Sequence, residues 1–367
     1  MDVNNQAGWL DLDYKPKLPK DLSCGIGIVG AGAIVQACHL PAYRMGGLNI
    51  IGIYDVDRDK AEAIARQFGI PHVFDTVERM LEHPDITIID IAIPAKFQPS
   101  IVEKAAAAGK NVLCQKPLGE SYEDALHIVK SCERFRVKGA VNQQMRWSPG
   151  IRASRTITER GWIGMPTQAS IQVNIFTDWS QWPWITQIER LELMYHSIHY
   201  MDSIRSVFGT PEYIYADGSK FPGQVSRGET RSMIFMKFPG ECRGLIHDNH
   251  NNIAGQDDWY ATFRFEGTEG IIKGTNGALY NYPDGREDTL QFLSQRIDPG
   301  YWFSPKLEGR WFPHAFLGTM GELMRAIEEG REAENSVQDN LLTLQMLFAS
   351  YRSIEENRPV RLDEIGS

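Results

Sequence analysis

Cysteine is sparse in this chain of 367 residues, with five thiols at Cys24, Cys38, Cys114, Cys132 and Cys242. The count is odd and no two form a Cys-x-x-Cys pair, which excludes a disulfide framework and a zinc knuckle and points to reduced thiols. Basic charge is also scarce: 38 Lys and Arg stand against 47 Asp and Glu, a formal net charge of −9. Nucleic acids and membrane surfaces are bound by clustered cations, and with no long basic run here neither is an expected partner. No apolar run reaches membrane-spanning length. Met1 to Lys20 is polar and lacks the plan of a signal peptide, so a cytoplasmic protein is the expectation. A Gly-x-Ser-x-Gly elbow, a phosphate-cradling Gly-Lys-Ser/Thr loop and a His-Glu-x-x-His pair are missing, which leaves hydrolase, kinase and metalloprotease readings unsupported. Internal repeats and low-complexity tracts are absent too. Small molecules and other copies of the chain remain as partners.

Apolar residues make up 42% of the chain, ample for packed cores, and the length favours two domains. Gly25-Ile-Gly-Ile-Val-Gly30-Ala-Gly32-Ala-Ile-Val35 reads as a strand, a tight turn and a helix start. Gly30 permits the turn, and Gly32 lets the backbone approach a pyrophosphate whose charge meets the free N–H groups of the helix N-terminus. The third fingerprint position calls for Gly or Ala, and Val35 stands there instead. Asn49 to Tyr54 is a second strand ending at Asp55, whose carboxylate can bond both adenosine ribose hydroxyls and would repel a 2′-phosphate, favouring NAD over NADP. Arg58 works the other way, since it could meet such a phosphate. Further strands are read at His72–Phe74, Ile86–Ile93 and Asn111–Cys114, the last running into Gln115-Lys116-Pro117. Ser121 with Asp124 resembles a capping box. Strands alternating with helices imply a doubly wound parallel sheet whose ligand sits past the strand carboxyl ends, where Pro94, Lys116 and Asn142 lie. A lysine beside a nicotinamide is partly desolvated and near a positive ring. Both effects favour the neutral amine and make it a usable proton donor or acceptor.

In the second half, Glu189 to Gly209 reads as one helix. Leu191, Met194, Ile198, Met201 and Phe208 share a packing side, while Glu192, His196, His199 and Ser203 form a neighbouring polar stripe beside Tyr195. Such a stripe must meet water, partners or a ligand. Glu192, His196 and His199 also have metal-ligand spacing, but nothing elsewhere obviously completes a site and no metal is expected. Asp178-Trp-Ser-Gln-Trp182-Pro-Trp184 sets three indoles in a turn, either stacking on sugar C–H faces or pinning the loop to the core. His247 to Asn252 is a polar segment at a sheet end or in a loop. Arg231–Phe238 and Trp259–Glu266 alternate as strands, and Ala315–Glu329 and Val337–Glu356 as helices. One sheet face then needs cover, for which a homodimer or homotetramer is the expectation.

Gly30-x-Gly32-Ala-Ile, His39-Leu-Pro41, Asp55, Ile93-Pro94, Gln115-Lys116-Pro117 and His199-Tyr-Met-Asp202 to Gly209 together resemble the family of glucose-fructose oxidoreductase and inositol dehydrogenase. The resemblance implies an N-terminal extension over 1–20 and a Rossmann domain over 21–145. It implies a C-terminal α+β domain with a large, mostly antiparallel sheet over 146–367. With the motifs above it assigns cofactor contacts to Gly30, Gly32, Ala33, Ile34, Asp55, Arg58, Ile93, Pro94, Gln98, Gln115, Lys116 and Asn142. It implies a sugar- or cyclitol-like substrate held by Lys116, Trp182, Tyr195, His196 and His199, with Lys116 and His199 at the reacting carbon and Tyr195 or His196 assisting. Two positions depart from the family pattern: Gln115 replaces a usual Glu, and Tyr195 replaces the Asp that many dehydrogenase members carry four residues before the histidine. The implied activity is reversible hydride transfer between a secondary alcohol and NAD. Its rivals are a redox-neutral, NAD-retaining cleavage of glycosides, also found in this family, and a non-catalytic NAD-binding regulator.

Overall fold

The computed structural model describes residues 10–179, 184–280 and 285–366. They fall into two compact units. One holds Pro16–Gln144 and Phe312–Leu344, the other Met145–Trp311 with the residues from Gln345 onward and those up to Lys15.

In the first unit, β1 (Gly25–Val29), β2 (Ile50–Tyr54), β3 (His72–Val73), β4 (Ile86–Ile91), β5 (Asn111–Gln115) and β6 (Gly139–Asn142) form one sheet in the order β3-β2-β1-β4-β5-β6. Every pairing is parallel. Residues of β1 are buried throughout, and those of β4 at all positions but Thr87, as expected for strands covered on both faces. The order reverses between β1 and β4, which sets the ligand crevice past their carboxyl ends. Crossovers run through α1 (Leu40–Met45), α2 (Arg58–Phe68), α3 (Val77–Leu81), α4 (Gln98–Ala107) and α5 (Tyr122–Phe135). Local chemistry sets their ends: the Asp57 carboxylate accepts from the Lys60 N–H, Gly69 stops α2 at φ 70°, and the Ser121–Asp124 capping box opens α5.

The second unit is built on a nine-stranded sheet of β7 (Pro166–Asn174), β8 (Tyr213–Ser219), β9 (Arg231–Lys237), β10 (Arg243–Asn249), β11 (Tyr260–Gly267), β12 (Gly270–Thr275), β13 (Thr289–Ser294), β14 (Trp302–Phe303) and β15 (Val360–Arg361). The order is β14-β13-β12-β11-β7-β10-β9-β8-β15. Only the β7–β10 pairing is parallel. Burial alternates along β9 and β10, leaving Tyr215, Met233, Phe235 and Leu245 exposed on one face, with Phe235 in register with both Tyr215 and Leu245. The opposite face takes α6 (Pro149–Glu159) and α7 (Ile198–Phe208), where α7 packs on β7 and β10.

Two further helices are α8 (His314–Glu329) and α9 (Val337–Glu356). A domain cut at 145 assigns α8 to the second unit, yet Phe316, Met320, Leu323 and Met324 share a core with Ile26, Ile28, Leu40 and Tyr43 of the first. The reason is packing, because α8 lies against α1 and β6. The five cysteines are free, and burial pushes Cys38 and Cys132 up to about 12, so neither offers a thiolate. Among the described residues no helix is long and apolar enough to cross a membrane.

Asp288 is a buried acid in the second unit, taking hydrogen bonds from Ser148 Oγ (2.5 Å) and the Gly277 N–H (2.8 Å). Burial outweighs them and pushes its carboxyl up from 3.8 to about 6. The folded state therefore favours the protonated acid, and this group's contribution to stability falls as pH rises from about 4 to 6, then stays low. Asp288→Asn is expected to flatten that slope and to gain up to about 3 kcal/mol over the parent above pH 7. Denaturant midpoints of both proteins from pH 4 to 8 check it, and an unchanged pH slope would contradict it.

Candidate active site

The glycine turn is built as the sequence suggests. Gly30 sits at φ 113°, and a Cβ there would lie 2.4 Å from the Ala92 carbonyl oxygen, so only glycine lets β1 and the end of β4 come this close. Around Gly32 nothing lies within 4 Å of the Cβ position, which leaves open space at the start of the helical segment 33–45. Gly32 and Ala33 are exposed and Ile34 half-buried. Val35, where the fingerprint has Gly or Ala, is fully buried and opens a π-helical turn, Val35–His39. Asp55 lies beside this turn, its carboxylate accepting from the Ala31 N–H (2.6 Å) and the Asp57 N–H (2.8 Å). A carboxylate has about four acceptor positions, so two remain for ribose hydroxyls. Arg58 is paired with Glu62 (2.8 Å) and with Asp75. The open cradle, the helix start and the acid fit a dinucleotide.

Lys116 follows β5 directly and is half-buried. Gln98, fully buried at the start of α4, donates from Nε2 to the carbonyls of Gln115 (2.9 Å) and Pro117 (2.8 Å). The Lys116 N–H donates to Gln115 Oε1 at 3.1 Å. Backbone on both sides of the lysine is thus held by two neutral amides, and Gln98 is a positioning residue for the segment. Pro94 is exposed and Ile93 half-buried past β4. Asn142, at the end of β6, is buried, with Nδ2 donating to His39 Nε2 (3.1 Å) and Oδ1 accepting from Thr319 Oγ1 (2.7 Å). His39 Nδ1 in turn meets Asp90 Oδ2 at 2.7 Å, which also accepts from Tyr43 Oη at 2.7 Å. The Asn142 side chain is engaged at both ends by this interior network.

In the second unit, the region read as a single helix from Glu189 starts later and contains a π-helical turn, Leu193–Ser197, before α7. The polar stripe read from the sequence is not solvated at Glu192 or Ser203. Both are fully buried, and His199 is 4% exposed with its ring edge-on to Trp311 at 5.2 Å. Asp202, one turn on, takes a two-pronged ion pair from Arg146 (2.6 and 2.7 Å), with Arg205 at 3.5 Å. Tyr195 is half-buried and edge-on to Trp184 at 5.7 Å. Trp182 lies outside the described residues. His196 turns toward Glu192 (3.4 Å) and toward His250, whose ring centroid is 4.3 Å away. Sequence spacing did not supply His250 or Arg146 as neighbours of this helix. The polar run from His247 was the only signal for the former.

A family description reading oxidoreductase family, NAD-binding Rossmann fold, matches residues 24–143, and one reading GFO/IDH/MocA C-terminal domain matches 151–273. D-apiose dehydrogenase of Paraburkholderia graminis is 27% identical over 341 residues, 92% of this chain and 89% of that protein. Myo-inositol 2-dehydrogenase of Thermotoga maritima is 22% identical over 355 residues, 93% of this chain and 99% of its own length. Among solved structures, an oxidoreductase from Agrobacterium radiobacter in complex with NAD+, L-tartaric acid and magnesium shares the fold at a TM-score of 0.81 and 21% identity, covering 93% of this chain and 99% of that one. Residues 24–143 and 151–273 match models of one family: the chain belongs to the GFO/IDH/MocA family of NAD-binding oxidoreductases.

Proposed function

We propose that this protein is an NAD-dependent dehydrogenase that oxidises a secondary alcohol of a sugar, cyclitol or related polyol. The observation that carries this reading is Lys116, held at the end of β5 by the buried Gln98 amide through the carbonyls on either side of it. Gly30, Gly32, Ala33 and Ile34 would hold the pyrophosphate, and Asp55 the adenosine ribose, with Ile93, Pro94 and Gln115 lining the path toward the nicotinamide. When bound, NAD supplies the hydride acceptor. As the alcohol is oxidised its hydroxyl proton must leave. The neutral Lys116 amine takes that proton, and the same residue returns it in the reverse direction. His199 orients the hydroxyl, and its burial beside Trp311 keeps competing water away. The Tyr195 phenol, four residues before His199, can pass a hydrogen bond onward without carrying a negative charge.

Asp55 sets the preference for NAD over NADP in this reading. The exposed face carrying Tyr215, Met233, Phe235 and Leu245 is the surface for self-association into a dimer or tetramer, and sedimentation as a monomer at micromolar concentration would remove that part. The test of function is a panel of polyols, sugars and glycosides with NAD and NADP, followed by NADH absorbance and product chromatography. Net NADH formation with a free sugar or cyclitol, faster with NAD, is expected. Aglycone release with no net NADH would replace the reading by redox-neutral glycoside cleavage, and inertness toward the whole panel would refute it.

A further inference from the structure

The second unit contains a cluster that the dehydrogenase reading does not use. Glu192 caps the π-helical turn, His196 lies within it, and His250 follows β10. Their ligand atoms all lie within 4.8 Å of one another. His196 Nδ1 is 3.4 Å from Glu192 Oε1, and His250 Nε2 is 3.8 Å from the same oxygen. Asp248 Oδ1 is 3.2 Å from His250 Nε2. Both of these last atoms are buried and make no hydrogen bond. His250 Nδ1 is engaged with Thr177 Oγ1 at 3.0 Å, which aims Nε2 into the cluster, as the outer hydrogen bond of a metal-binding imidazole does.

Distances decide between two ways of reconciling these groups. A protonated histidine bonded to a carboxylate closes to about 2.7–2.9 Å. Four ligands about 2.0–2.1 Å from a tetrahedral centre stand about 3.3 Å apart. Separations of 3.4 and 3.8 Å from Glu192 to the two imidazoles match the second arrangement better. Charge points the same way, because Glu192 and Asp248 are both fully buried and two carboxylates withdrawn from water need a compensating cation.

We propose that Glu192, His196 and His250 form a binding site for one divalent transition-metal ion, with zinc the best fit to two imidazoles and one carboxylate. The ion ties the π-helical turn that leads into α7 to the end of β10, and so fixes the start of the helix that carries His199. His196, the one partly exposed ligand, gives the path of entry. Trp179 covers the other side, 5.3 Å from His196 and stacked 5.7 Å from His250. A metal-bound His196 is a ligand and not a proton relay, so the site reassigns that residue while leaving the roles of Lys116 and His199 intact.

The test uses the full-length protein, stripped with a chelator, then equilibrated with micromolar zinc or cobalt and desalted. Elemental analysis is expected to find about one metal per chain, with intense four-coordinate visible bands for cobalt and a change in tryptophan emission that Trp179→Phe removes. His196→Gln and His250→Gln are each expected to weaken binding by at least about a hundredfold while circular dichroism and NAD binding stay at parent values. Metal below about a tenth of an equivalent in the parent, or undiminished binding in both variants, would overturn the proposal. Because the readout is metal content and spectrum, a failed dehydrogenase reading leaves this test unaffected.

Discussion

Lys116→Ala is expected to lower kcat/KM for alcohol oxidation by about a hundred- to ten-thousand-fold, the range over which a positioned proton acceptor acts. NAD binding should change by less than about threefold, because the glycine turn and Asp55, proposed to hold the dinucleotide, follow other strands. The loss should appear in kcat, since the proton is transferred in the transition state, and a change confined to KM would mean that the lysine only binds the substrate. Position is the reason for so large an effect. The Gln98 amide holds the carbonyls on both sides of Lys116 and the Gln115 side chain holds its N–H, so the amine leaves the sheet from a fixed point. Both amides are neutral, so their hold on the backbone adds no charge beside a group that must give up and regain a proton. Lys116→Arg separates the two contributions. It retains positive charge but cannot deprotonate, so its rate should stay close to that of the alanine variant.

Asp202→Ala is expected to destabilise the protein by about 3–5 kcal/mol, the usual cost of breaking a buried ion pair by removing one partner. Asp202 is fully buried and holds Arg146 through two hydrogen bonds at 2.6 and 2.7 Å, with Arg205 also beside it. Removing the carboxylate takes two short hydrogen bonds from the Arg146 guanidinium, which is itself buried. Replacing both partners, as in Arg146→Met with Asp202→Leu, should recover a large part of the loss, because an apolar pair of similar volume carries no desolvation cost. Urea midpoints of the parent, the two single variants and the double variant check this. Equal losses in the single and double variants would show that the pair does not act as a unit. The aspartate of the His-x-x-Asp pattern thus belongs to the support of α7, one turn beyond the histidine assigned to the substrate.

The first sheet was legible because its information is local. Apolar runs mark β1, β4 and β5, glycine marks the turn, and Ser121 with Asp124 marks the start of α5. The same holds for the placement of Lys116, which follows from a strand ending just before a proline. Contacts distant in sequence were not legible. Gln98 could be placed near the strand ends, but its bonds to the carbonyls of 115 and 117 depend on how α4 packs on β5. Asn142 lies at a strand end as read, while its side chain turns into a network with His39 and Thr319 that only the folded chain assembles. The helix from Glu189 was drawn with a uniform 3.6-residue period, and the π-helical turn breaks that phase. This is why the third partner of Glu192 and His196 is His250, 54 positions along from His196, and not His199. The return of α8 to the first core escaped for a similar reason, since an apolar helical face does not name the sheet it will cover.

The most direct measurement is a crystal structure of the protein with NAD and a polyol that the panel shows to be turned over. The account predicts Lys116 Nζ and a ring nitrogen of His199 both within about 3.2 Å of the hydroxyl on the carbon that loses its hydrogen. Finding that hydroxyl bonded to neither nitrogen, with another acid or base in their place, would contradict it.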